Sequence, residues 1–168
     1  MRKYYIVIPM LIGFLIISSN QLTEAKNNNT VHKIPFLEQL MTHSLKYEEV
    51  QNIKIENDSG QQRVFSINDG FQERALRKVI HWLNNSEQVK GTIEVSLKNP
   101  SNKMTLKLAS DEVITIEPAY MCIVEKMQKT CTAKDGELIV SDNSQKARLK
   151  SQSLYDWLLV GWRKELDG

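Results

Sequence analysis

Residues 50–85 read VQNIKIENDSGQQRVFSINDGFQERALRKVIHWLNN, and this stretch decides the fold class. Ile53 and Ile55 alternate with Lys54 and Glu56, the period of a half-buried strand. Asn57-Asp-Ser-Gly60 interrupts the pattern and Val64-Phe-Ser-Ile67 resumes it, so two short strands close on a turn cluster as a β-hairpin. Asp69 then has the form of a helix N-cap, with Gln72 three residues on to complete a capping box. Phe71, Ala75, Leu76, Val79, Ile80 and Leu83 recur at helical spacing, opposite Glu73, Arg74, Arg77 and Lys78, and the helix ends near Asn84-Asn85.

Beyond the helix the period returns to two. Ile93, Val95 and Leu97 alternate with polar residues, and Met104, Leu106 and Leu108 do so after Asn99-Pro-Ser-Asn102. Ser110-Asp111 turns the chain into Val113-Ile-Thr-Ile116, and Pro118 makes Ala119–Val124 either a new strand or one bent at an edge. Lys134-Asp-Gly-Glu137 has the chemistry of a two-residue hairpin turn joining Thr130-Cys-Thr132 to Leu138-Ile-Val140. Ser153 and Asp156 have capping-box spacing and open a last helix, with Leu154, Trp157, Leu158 and Trp162 as its apolar stripe. Gly161 is placed to let that helix approach another element closely. The expected fold is α+β: an antiparallel sheet built from a hairpin, a helix, a strand meander and a C-terminal helix. Two amphipathic helices pack on one sheet face and the other face stays wet.

Upstream of this domain the composition changes. Arg2 and Lys3 precede the apolar run Tyr4–Ile17, whose 14 residues match a signal-peptide core and fall short of the roughly 20 that a membrane span requires. Thr23-Glu-Ala25 supplies small residues for a signal peptidase, so cleavage is expected between Ala25 and Lys26, with an uncleaved signal-anchor as the rival. The reading is therefore residues 1–25 signal peptide, 26–45 tether with a possible short helix over Ile34–Met41, and 46–168 a single α+β domain. No cysteine lies in the signal, which excludes bacterial lipoprotein attachment; removing Arg2, Lys3 and Glu24 takes the formal net charge from +2 to +1.

That charge is too near neutral for a protein that binds nucleic acid by neutralising phosphates. With 41% hydrophobic and 25% charged residues among 168, collagen-like, coiled-coil and wholly disordered classes are excluded. Two Cys and three His cannot build a zinc cluster, a haem motif or a multi-disulfide framework. No G-x-S-x-G stretch, glycine-rich phosphate loop or calcium loop is present, so no catalytic, cofactor or metal residue is assigned. His32, His43 and His81 read as structural or exposed, and Trp82, Trp157 and Trp162 as core residues on helices. Lys126, Lys129, Lys134, Lys146, Arg148 and Lys150 read as a solvated basic face.

Cys122 and Cys131 are the chain's two thiols, nine residues apart across Glu125-Lys-Met-Gln-Lys129. Paired antiparallel strands bring them within disulfide reach, and an exported chain meets an oxidising compartment. Direct opposition leaves only Lys126-Met127 at the tip, poor chemistry for a tight turn; a wider loop with diagonal cysteines is the alternative register. A third reading leaves both as small buried residues that never pair. If they bond, the loop-closure entropy of a short ring amounts to about 2–3 kcal/mol, and Cys122→Ser lowers the melting temperature by several degrees.

The segment Ile53–Leu83, with Val89-Lys-Gly-Thr-Ile-Glu-Val95 and Ser153-Leu-Tyr-Asp-Trp157, resembles small exported proteins and lipoproteins of Gram-positive bacteria, a largely uncharacterised group. The resemblance spans about two thirds of the chain and rests on strand, cap and helix signals. It implies compartment and fold and transfers no catalytic residue; the missing lipid-accepting cysteine is a departure from the lipoprotein members. The function expected is a non-enzymatic binding module, secreted or wall-associated, whose partner is a protein or cell-envelope component. A small cell-envelope hydrolase and a signal-anchored extracytoplasmic domain are the alternatives. A deep pocket with converging Asp, Glu, Ser or His favours the hydrolase; an apolar patch or open sheet edge favours the binding module.

Overall fold

The computed structural model describes residues 44–67, 70–91, 100–126 and 128–165. The signal, Ala25 and Lys26, the tether, the Ile34–Met41 helix, His32, His43, Asp69 and the strand expected over Ile93–Leu97 lie outside the described residues. A 3₁₀ turn, Tyr47–Glu49, leads into strands β1 (Val50–Asn57) and β2 (Gln62–Ser66), then helix α1 (Gly70–Asn84). β3 (Glu87–Gln88), β4 (Asn102–Leu108), β5 (Val113–Glu125), β6 (Gln128–Ser141) and β7 (Lys146–Lys150) follow. The chain then coils through α2 (Gln152–Asp156), a π-turn (Trp157–Gly161) and α3 (Trp162–Lys164). Among the described residues the strands form one antiparallel sheet in the order β2-β1-β4-β5-β6-β7-β3.

Alternation does what the sequence pattern demands. Ile53 and Ile55 of β1 face Leu106 and Met104 of β4, which face Ile114 and Ile116 of β5, and all are fully buried. These side chains share one apolar cluster with Phe65, Ala75, Leu76, Val79, Ile80 and Leu83, and with Leu154, Trp157, Leu158 and Trp162. At the β1–β2 turn Asn57 Oδ1 accepts the Gln61 N–H (2.8 Å) and Gly60 adopts φ +79°, where a side chain is strained. Asn84 locks the entry to the domain: its amide accepts the Leu45 N–H and donates to the Leu45 carbonyl, both at 2.8 Å.

Four expectations need correction. Lys134-Asp-Gly-Glu137 is not a hairpin turn: both flanks belong to β6, and Pro118↔Leu138 is followed by Tyr120↔Ala133, so the segment is a bulge within one strand. Gly136 takes φ +70°, as an Asp-Gly turn also requires, but its carbonyl accepts the Ser151 N–H (2.9 Å) and docks on the following helix. The last helix starts at Gln152 with Ser151 as N-cap, and no Ser153–Asp156 box forms because the Gln152 amide donates to Asp156 Oδ1 (3.0 Å). The element that Gly161 admits is its own helix: a Cβ there lies 2.9 Å from Trp157 Cδ1, across the π-turn. Finally, the second sheet face is not wet throughout. Glu117, Ile139 and Arg148 lie side by side on β5, β6 and β7, opposite the main core, and all are buried.

Arg148 therefore leaves the basic face to which the sequence assigned it. Its Nη2 donates to the Lys90 carbonyl (3.1 Å) and its Nε lies 3.4 Å from Glu137 Oε2. A buried guanidinium is tolerable only with such partners. Gln72, expected to cap its own helix, accepts the Ser66 N–H (2.8 Å) and so ties α1 to β2.

Candidate interaction site

β5 and β6 outgrow the sheet. β4 pairs with β5 only through Val113–Ile116, and β7 pairs with β6 only through Glu137–Ser141. Past those points, among the described residues, the two strands pair only with each other, from Tyr120↔Ala133 to Glu125↔Gln128. Pro118 stands where β5 loses its β4 neighbour, so its missing N–H costs no ladder bond there. Of the two readings of Ala119–Val124, the strand that continues past Pro118 as an edge is the one observed.

This two-stranded arm is unlike the rest of the sheet in what it exposes. Val124 is 68% exposed, Ile123 51% and Met121 42%, three apolar side chains within four residues, whereas the exposed apolar side chains of the sheet body, such as Val64 and Val113, stand singly. Met121 pairs with Thr132 and Ile123 with Thr130 on one face; Cys122, Val124, Lys129 and Cys131 share the other. Lys126 at the tip takes φ +46°, a left-handed backbone that a non-glycine residue adopts rarely.

Cys122 and Cys131 are directly opposite, bonded as a disulfide with Cα atoms 4.0 Å apart, and both are half-buried. The direct register holds although Lys126 is a poor turn residue. The cross-link fits an oxidising compartment. At the inner end, Tyr120 is buried and its hydroxyl accepts the Ser101 N–H (3.1 Å) beside Ser101 Oγ (2.9 Å). The bulge anchors the other strand, where the Gln152 amide donates to Asp135 Oδ1 (3.0 Å). Burial, with Asp135, Tyr120 and Asp156 nearby, raises the pKa of the Tyr155 hydroxyl above the usual tyrosine range. Such a phenol stays protonated at neutral pH and offers no base.

The other singled-out residues do not converge. His81 is exposed on α1 beside Asn85 (3.3 Å). Trp157 is buried between Phe65 and Trp82, at centroid distances of 5.6 and 6.2 Å, and donates from Nε1 to Glu165 (3.0 Å). Trp162 is buried, and its backbone carbonyl accepts from Arg63 Nη1 (2.8 Å). Lys126 and Lys129 are exposed on the arm, whereas Lys134 and Arg148 both lie near Glu137. Among the described residues no three His, Cys, Asp or Glu side chains cluster as metal ligands, and no helix is long and apolar enough to cross a membrane. Sequence reasoning found the cysteines but missed the arm around them; the signal was the run Met121–Val124, apolar on both faces of its strand. No protein-family model, curated protein or solved structure matches the chain.

Proposed function

We propose that this is an exported, non-enzymatic interaction module and that the β5–β6 arm is its binding element, taking an extended protein segment of the cell envelope by strand addition. The observation that carries the reading is that neither edge of the arm is paired among the described residues, and that the exposed side chains of Met121, Ile123 and Val124 flank those edges. Unpaired backbone groups supply hydrogen bonds to an added strand, and alternating apolar side chains supply selectivity. A natural edge that serves no purpose is normally blunted by charge or proline; here the edge left unpaired among the described residues carries apolar residues over Met121–Val124. The same reading places the mature chain, from Lys26, outside the cytoplasmic membrane.

The packing supports a second point, that α1 and the C-terminal helix cover the same sheet face. Their buried residues belong to one cluster with Ile53, Leu106, Ile116 and Val140, whereas Ile139 points the other way.

The test is cosedimentation of the purified oxidised protein with isolated cell envelopes, against the variant Met121→Ser/Ile123→Ser/Val124→Ser. Retention should fall at least about tenfold in the variant, the loss of roughly 1.4 kcal/mol of apolar contact, while its melting temperature stays within about 2 °C. Equal retention removes the arm from the function. Release of soluble wall fragments by the wild type establishes the hydrolase instead.

A further inference from the structure

We propose that the Cys122–Cys131 bond is a redox latch on the arm alone: a dithiol reductant opens it, and the outer halves of β5 and β6 separate while the rest of the sheet stays folded. The latch itself is argued from the fold; its effect on partner binding rests on the reading of the arm given above.

Three features confine the effect. Among the described residues the arm is a two-stranded ribbon from Tyr120↔Ala133 outward, and an isolated pair of strands is marginal in water. Its apolar residues Met121, Ile123 and Val124 are exposed, and none belongs to the core cluster, so burial adds little to the arm's own stability. The boundary with the body is a built break. Pro118 has no N–H, the ladder shifts register at Lys134–Glu137, and the bulge is held from the body side by Ser151 and Gln152. Among the described residues neither β4 nor β7 has a ladder pair on the arm, so opening it outward of the Tyr120–Ser101 contact leaves both strands in place. The covalent bond, set midway along the arm at Cys122↔Cys131, is what keeps the two strands in register.

Both cysteines are half-exposed, so a reductant can reach them. A thiolate of the dithiol attacks one Sγ, breaking the S–S bond and forming a mixed disulfide; the departing cysteine takes up a proton. The dithiol's second thiol then displaces the other cysteine, which is protonated in turn. Two electrons and two protons pass from the dithiol to the pair, leaving two thiols and an oxidised dithiol. Exchange with a disulfide oxidant, which takes up the two electrons and two protons as two thiols, re-forms the bond and closes the arm again.

The experiment is hydrogen exchange by mass spectrometry on the full chain, oxidised and in dithiothreitol, alongside Cys122→Ser/Cys131→Ser. Amides of residues 119–133 should exchange about 100-fold faster after reduction, the factor that loop closure across nine residues predicts. Peptides covering 50–57, 102–116 and 138–150 should be unchanged. The double variant should match the reduced protein, and dithiothreitol should not alter it further. Faster exchange throughout the sheet makes the bond a general staple and overturns the latch, as does an arm that keeps its protection. Envelope cosedimentation of the reduced protein separates the two readings. If the arm opens yet retention is unaffected, the latch stands and the arm is not the binding element.

Discussion

The inner and outer halves of β5 and β6 are continuous strands in two different environments. Inside, Ile114, Ile116, Leu138 and Val140 are fully buried between neighbouring strands and helical side chains. Outside, Met121, Ile123 and Val124 stand in solvent beside a disulfide. Strand propensity is the same in both halves, because Ile and Val favour extended backbone wherever they sit. The difference is what lies alongside: the inner half is held by neighbours, the outer half by a covalent bond. Buried packing and exposed apolar surface thus fall on different lengths of the same two strands.

The largest effect should come from β4, the strand that flanks the inner half of β5. Leu106 is fully buried on β4 between Ile53 and Ile114. Leu106→Ala removes its transfer energy and leaves a cavity, about 3–4 kcal/mol, and calorimetry should show the melting temperature falling by on the order of 10 °C. A loss below about 1 kcal/mol would mean that the sheet body is not where stability resides.

Next comes the helix that closes the body. Gly161 lies in the π-turn against the Trp157 ring, and that ring packs on Phe65 and Trp82. Gly161→Ala places its Cβ 2.9 Å from Trp157 Cδ1 and forces the ring to shift. The gain in helix propensity from Gly to Ala is about 1 kcal/mol, and overpacking costs about 1–3 kcal/mol, so net destabilisation of about 1 kcal/mol is expected. Chemical denaturation with tryptophan fluorescence reads both the loss and the disturbed ring. A stabilised variant would show that the turn has room.

Glu165 should give an effect of similar size with a definite pH signature. Burial alone raises its pKa, but hydrogen bonds from Lys78 Nζ (2.8 Å) and Trp157 Nε1 (3.0 Å) outweigh it, and the net shift is downward. The folded carboxyl therefore binds its proton more weakly than the unfolded one. Its contribution, about 1 kcal/mol, is present above the unfolded glutamate pKa near 4.3 and disappears as pH falls through the folded value. Glu165→Gln should lower stability at pH 7 and flatten the acid limb of the stability profile. An unchanged acid limb would separate the C-terminal helix from this charge.

The sheet body was legible because alternation and helical spacing are local signals that tertiary packing reinforces. Ile53, Leu106, Ile116 and Leu83 are buried as their periodicity requires. The arm was half legible. Cysteine spacing and export pointed to the bond, but Asp135-Gly136 misled, because a left-handed glycine serves a hairpin turn and a bulge equally well. What selects the bulge is Ser151 and Gln152, some sixteen residues along the chain, a contact no local pattern carries. Arg148 misled for the same reason: its basic charge suggested a wet face, and its partners Lys90 and Glu137 come from elsewhere in the chain. The edge proposed for binding was invisible because it is defined, among the described residues, by where β4 and β7 stop.

The smallest effect belongs to the outer half, and it is the sharpest check on the comparison. Ile123 sits in mid-arm with Thr130 opposite, and half of its surface is in solvent. Ile123→Ser forfeits little burial; β propensity differs modestly between the two residues, and the Cys122–Cys131 bond next to it holds the register. The expected loss of stability is within about 0.5 kcal/mol, the range of surface substitutions. Thermal melts at equal protein concentration measure it, with free-thiol titration confirming that the disulfide remains. A loss of 2 kcal/mol or more would place Ile123 among packed core residues, and the division of these strands into a stabilising half and a presenting half would collapse. A negligible loss means that the apolar surface is carried on the arm without serving the fold, as expected of residues kept for a partner.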